Sequence, residues 1–152
     1  MKPIKIWTWD MLLHAVHSGR IFEALDSVGR RLRPLMALGL SCAKWSVDNR
    51  CGLFHGDRED LYDDSCGLCM YWSEVAEKRN KRNKDKDPID GCDICPIGRS
   101  GKGCNNNGSI WWKALEAHID RQVEPFNEAA DALLAKLNDL YTAEYYRLWP
   151  KE

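Results

Sequence analysis

Two C-x-x-C pairs, Cys66/Cys69 and Cys92/Cys95, separated by 22 residues and followed by Cys104, constrain this chain more than any other feature. Five of its seven cysteines fall between residues 66 and 104, in a stretch rich in Gly, Asp and Asn that has little hydrophobic periodicity. Two residues between ligands let both thiolates of a tight turn face one ion at about 2.3 Å, and two such turns complete a tetrahedral four-thiolate site. The spacing predicts a structural Zn2+ held by Cys66, Cys69, Cys92 and Cys95, with Cys104 able to replace Cys92. Cys42 and Cys51 read as ordinary buried thiols, and Cys51 is also open to a second site. An iron-sulfur cluster is the rival cofactor, because a Cys-Pro step occurs at Cys95–Pro96, but the three-cysteine run that usually precedes it is missing. A redox C-x-x-C needs a βαβ setting, and no such pattern surrounds either pair.

The flanks read as helices. Thr8 caps a short helix over 9–18, and Ile21, Leu25, Val28, Leu32 and Met36 continue at helical spacing through 20–38, bent or broken around Pro34. In the middle, only "YWSEVAEKRNKR" has a helical look. Ser109 then caps a helix with Trp112, Leu115, Ile119 and Val123 on one side, and Pro125 kinks or restarts it. Phe126, Ala130, Leu133, Leu137, Tyr141, Tyr145 and Leu148 keep the rhythm to the end. No run alternates β-branched and polar residues. The expected fold is mainly α: one domain over 1–152, with helical regions 8–40 and 109–149 packed around a zinc-stapled, irregular insert, 42–107.

At 152 residues the chain is long enough for a substantial core. Its formal net charge of -1 leaves no global excess to hold nucleic acid, so only a local patch serves. Such a patch exists at "KRNKRNKDK", six basic residues in nine positions: Lys78, Arg79, Lys81, Arg82, Lys84 and Lys86. Beside Tyr71 and Trp72 it reads either as a nucleic-acid contact, tracking phosphates while the rings stack bases, or as a solvated loop. The acidic "GDREDLYDD" at 56–64 fits no known ligand loop and reads as a hydrophilic surface. His14 and His17 lack the acidic base of a metalloprotease helix, and "GRSGKG" lacks the Ser or Thr and the preceding strand of a phosphate loop. No nucleophile elbow with Ser, His and Asp appears, so the residues propose no enzyme. The seven tryptophans exceed what a small core usually takes. Adjacent Trp111 and Trp112 point about 100° apart on a helix, so with Trp149 they are candidates for a partner-binding surface. The basic start of the chain is interrupted by Asp10, His14 and His17 before an apolar run develops, and no segment has the length of a membrane span. An odd number of cysteines without an export signal points to a reducing compartment, a cytoplasm.

The order "CGLC", "GCDICPI", "GKGC", "WW" and a long C-terminal helix resembles small cysteine-rich proteins of tailed bacteriophages, over roughly residues 42–115. Gly67 stands where that group commonly has Ala, and the basic insert between the pairs is longer. The resemblance implies a phage-encoded accessory protein acting in the host bacterial cytoplasm. Its expected partner is a host or phage protein, bound without catalysis in host takeover or anti-defence.

Overall fold

The computed structural model describes residues 21–48, 66–97, 110–148 and 150. The readings placed on Thr8, 9–18, His14, His17, Cys51, 56–64, Cys104, Ser109 and Trp149 lie outside the described residues. The described chain is mainly α, with no strand among these residues. Seven helices appear there in chain order: α1 (Ile21–Asp26), α2 (Arg33–Gly39), α3 (Cys42–Asp48), α4 (Gly67–Arg82), α5 (Gly91–Ile94), α6 (Ile110–Ile119) and α7 (Val123–Leu148).

The spine is α7, 26 residues long. Its apolar stripe buries Phe126, Ala130, Leu133, Leu137, Tyr145 and Leu148, the face expected from the sequence. The first half meets Ala114 and Ala117 of α6 and Ala43 of α3, where small side chains let the helices approach closely. Farther along, Leu137 joins a cluster built on Leu25, Met36, Leu40, Trp45, Leu68 and Trp111. Its last turn packs on Leu35, and Arg31 Nη2 donates to Leu148 O at 3.1 Å, satisfying a carbonyl of the helix end. A fully buried leucine of this kind contributes about 2 kcal/mol of transfer free energy.

The structure corrects three expectations. The 20–38 region is broken, one of the two outcomes expected, but the break lies at residues 27–32, ahead of Pro34, which stands in the first turn of α2, where a missing N–H is harmless. The middle is less irregular than its composition implies, because α4 runs for 16 residues starting at Gly67 and α3 precedes it. Ser41 is the overlooked start signal of α3: its Oγ accepts from Lys44 N at 3.3 Å. Finally, α6 buries Trp111, Ala114, Leu115 and Ala117, while Ile119 and Val123 are 50% and 48% exposed. The chain turns at Arg121, with φ of 55°, so both sit at a corner instead of continuing the stripe. Pro125 falls in the first turn of α7, so the helix restarts there and is not kinked.

An ion-pair network ties α2 to α4. Arg33 places Nη2 2.8 Å from Glu74 Oε2 and 3.2 Å from Asp26 Oδ1, with its guanidinium 5.9 Å from the Tyr71 ring centre. The hydrogen bond from Arg33, aided by Lys78, holds the Glu74 carboxyl below its usual value despite some desolvation. A depressed carboxylate stabilises the fold above its unfolded pKa, and that contribution disappears as pH falls through the folded value. Glu74→Gln should therefore lower stability at pH 7 by about 0.5 kcal/mol after solvent screening. The gap from wild type should close in acid, below the ordinary Glu pKa of about 4.3. Denaturant midpoints at neutral and acid pH check this; a gap that persists at low pH rules the network out as its source.

Candidate metal centre

The site is assembled where three chain segments cross. Gly67, the first residue of α4, donates its N–H to Leu40 O at 3.0 Å. A Cβ at that position would lie 2.8 Å from Leu40 Cβ and 3.1 Å from Ala37 O, so only glycine lets the end of α2 pass this close. The crossing brings Cys42, at the head of α3, to Cys66, the N-cap of α4, which also meets Cys69 one turn on. Hydrogen bonding from the Cys42 and Cys69 thiols holds the Cys66 thiol well below its ordinary pKa, against the opposing effect of burial. The backbone N–H groups of the same two residues act in the same direction, although Cys66 makes no regular side-chain capping bond.

The second pair is seated against α4. Gly91, the first residue of α5, lies so close to Ser73 that a Cβ would be 2.7 Å from Ser73 N. Asp90 and Asp93 form a reciprocal capping box, each accepting at 3.0 Å from the other's backbone N–H. The connection from α4 is clamped as well. Asn80 donates from Nδ2 to Ile89 O at 2.7 Å and accepts from Ile89 N at 3.0 Å, and Arg79 Nη1 donates to Asp87 O at 2.8 Å. Cys95 is buried in the same apolar cluster as Cys42 and Cys66, with Cys69 packed at its margin. Cys92 is half-buried.

All five described cysteines are free thiols. Among the described residues, no group of three or more His, Cys, Asp or Glu side chains is set to hold a metal ion. The donor chemistry nevertheless suits a thiophilic cation. A tetrahedral zinc-thiolate cage with bonds of about 2.3 Å has sulfur-to-sulfur edges of about 3.8 Å, the reach of a thiol-to-thiol hydrogen bond.

The other candidate residues fall differently from the expectation. In agreement with the helical look of 71–82, Lys78, Arg79, Lys81 and Arg82 belong to α4, so the loop reading of the basic run holds only beyond Arg82. Lys78 pairs with Glu74 at 3.2 Å and Lys81 with Glu77 at 3.3 Å, each one helical turn away, while Lys84 and Lys86 lie exposed in the connection to α5. Arg79 is a clamp. Trp111 is 8% exposed and belongs to the core, which removes it from the partner surface. Trp112 is half-buried, its Nε1 donating to Glu116 Oε1 at 2.8 Å. Cys42 is a buried thiol, as its sequence context suggested, whereas sequence reasoning missed Asn80 and the Ile119/Val123 corner. The D-x-x-D of the α5 cap was the one local signal that the second cysteine pair opens a helix. Among the described residues no helix is long and apolar enough to cross a membrane. No family model, curated protein or solved structure matches the chain.

Proposed function

We propose that this chain is a non-catalytic accessory protein, stabilised by a structural zinc ion on its cysteine-rich middle, that acts by binding another protein. The observation that carries the zinc reading is the seating of α5 on α4. It brings the Cys92/Cys95 segment to the helix whose first turn carries Cys66 and Cys69. Cys66, Cys69 and the second pair would hold the ion, which supplies a cross-link between segments and no chemistry on a substrate. The protein-binding reading is favoured by the corner between α6 and α7, where Ile119 and Val123 present apolar side chains to solvent. The cysteine pattern shared with tailed-phage proteins suggests a phage origin and a host or phage protein as partner. Nucleic acid is the weaker choice, because Lys78 and Lys81 are paired within their own helix and Arg79 holds a carbonyl.

Tagged wild-type protein should capture one bacterial protein in stoichiometric amount from a nuclease-treated lysate. An Ile119→Asp/Val123→Asp variant with unchanged circular dichroism should lose it. Material that disappears with nuclease, or upon neutralising Arg82, Lys84 and Lys86, would transfer the assignment to nucleic acid.

A further inference from the structure

Cys66 and Cys69 stand at the N-cap and the third residue of α4, a helix of 16 residues. Met70 N donates to Cys66 O at 3.1 Å, so the N-cap is already in helical register. Residues three apart on an α-helix have Cα atoms about 5 Å apart, inside the range of about 4.4–6.8 Å that a disulfide spans. The side chains converge as well. With φ of -123° and ψ of 115°, Cys66 has the extended backbone of a capping residue, whose side chain lies over the first turn. Cys69 leans back toward the helix start, as every helical Cα–Cβ bond does. The same two helix positions are filled at the head of α5 by Asp90 and Asp93, and there each side chain reaches the other residue's backbone. Both thiols are free; Cys66 is 4% exposed and Cys69 is half-buried.

We infer that Cys66 and Cys69 form a redox-sensitive dithiol, which a small-molecule disulfide oxidises to an internal disulfide across the first turn of α4. The inference does not rest on the zinc reading; it adds that the closed pair offers no thiolate to an ion. Exposure sets the order of events. Cys69 Sγ, the accessible sulfur, attacks the small disulfide; that S–S bond breaks, a mixed disulfide forms on Cys69, and one thiol leaves with the proton Cys69 gave up. Cys66 Sγ then attacks Cys69 Sγ. The mixed disulfide breaks, the Cys66–Cys69 bond forms, and the second thiol leaves with the proton of Cys66. Two protein thiols lose two electrons, and one disulfide becomes two thiols. The oxidant is small because Cys69 is half-buried and its partner is closed to solvent. The second pair is placed less well for an anionic oxidant such as oxidised glutathione, because the carboxylates of Asp90 and Asp93 flank Cys92, whereas the first turn of α4 carries no acidic residue.

The test uses the full-length wild-type protein as purified, so it does not depend on a variant folding. It is exposed to oxidised glutathione under non-denaturing conditions, quenched in acid, alkylated and mapped by peptide mass spectrometry. Both free thiols should be lost from the α4 peptide together, through a Cys66–Cys69 bond that forms before any bond between Cys92 and Cys95, with circular dichroism unchanged. Added chelator should alter the rate and not the product. In parallel, Cys66→Ser should stop at the glutathione mixed disulfide on Cys69. A wild-type chain overturns the inference if it keeps both thiols, stops at the mixed disulfide on Cys69, joins Cys66 to another cysteine, or closes Cys92–Cys95 first. The zinc content of the reduced protein, measured separately, decides the zinc reading by itself.

Discussion

Cys69→Ser is expected to abolish stoichiometric zinc and to lower the melting temperature by more than about 10 °C. The reason lies in what the ion would join. Cys69 is in the first turn of α4 and meets Cys66 at the N-cap of the same helix, and Cys66 in turn meets Cys42 at the head of α3. One cation held there ties chain stretches that are otherwise connected through residues 49–65 and 83–90. Structural zinc sites bind with apparent free energies of about 10–16 kcal/mol, and because the unfolded chain has no site, that energy adds to folding. Losing only about 4 kcal/mol of it corresponds to 10 °C or more for a domain of this size. Serine keeps the volume and loses the thiolate, so packing is nearly unchanged. Chelation of the wild-type protein should reproduce the variant's melting temperature, and chelator should leave the variant unmoved. A Cys69→Ser protein that retains one full zinc and the wild-type melting temperature would remove Cys69 from the site.

How far the fold could be read from residues alone depended on where the deciding interaction lay. The stripe on α7 was legible because it is long and periodic, and each buried position repeats the same local rule. The stripe on α6 was misread because it rests on alanines. Ala114 and Ala117 are buried by the close approach of α7, and their small side chains give little hydrophobic signal. Ile119 and Val123 looked apolar enough to continue the pattern, yet the turn at Arg121 takes them out of it. The meeting of the thiols was half legible. Pairs spaced by two residues can be recognised locally, whereas the proximity of Cys42 to Cys66 is made by a backbone crossing at Leu40 and Gly67 that leaves only a glycine as its mark. The basic run was legible in part: the helical look of 71–82 placed its first four basic residues on a helix, where Glu74 and Glu77 one turn earlier make them an ordinary solvated face.

Gly91→Ala should cost about 3 kcal/mol and lower the melting temperature by about 10 °C, although it adds only one methyl group. The added carbon would lie 2.7 Å from both Ser73 N and Ser73 Oγ and 2.9 Å from Ser73 Cα. Two of those three atoms are backbone in the middle of a 16-residue helix, so α4 cannot yield by turning a side chain. The single turn of α5 must move instead. In doing so it strains the Asn80 clamp on Ile89 and shifts Cys95 within the apolar cluster that also holds Cys66. Zinc affinity should therefore fall together with stability, a pairing that simple loss of packing elsewhere would not give. Removing the hydroxyl with Ser73→Ala should not rescue the variant, because the backbone atoms remain. Gly29→Ala is the control: its Cβ meets nothing within 4 Å, so melting temperature and zinc binding should both stay near wild type. If Gly91→Ala instead melts like the control and binds zinc as tightly, α5 is not held on α4 by this contact. The second cysteine pair would then have to reach the first by another path.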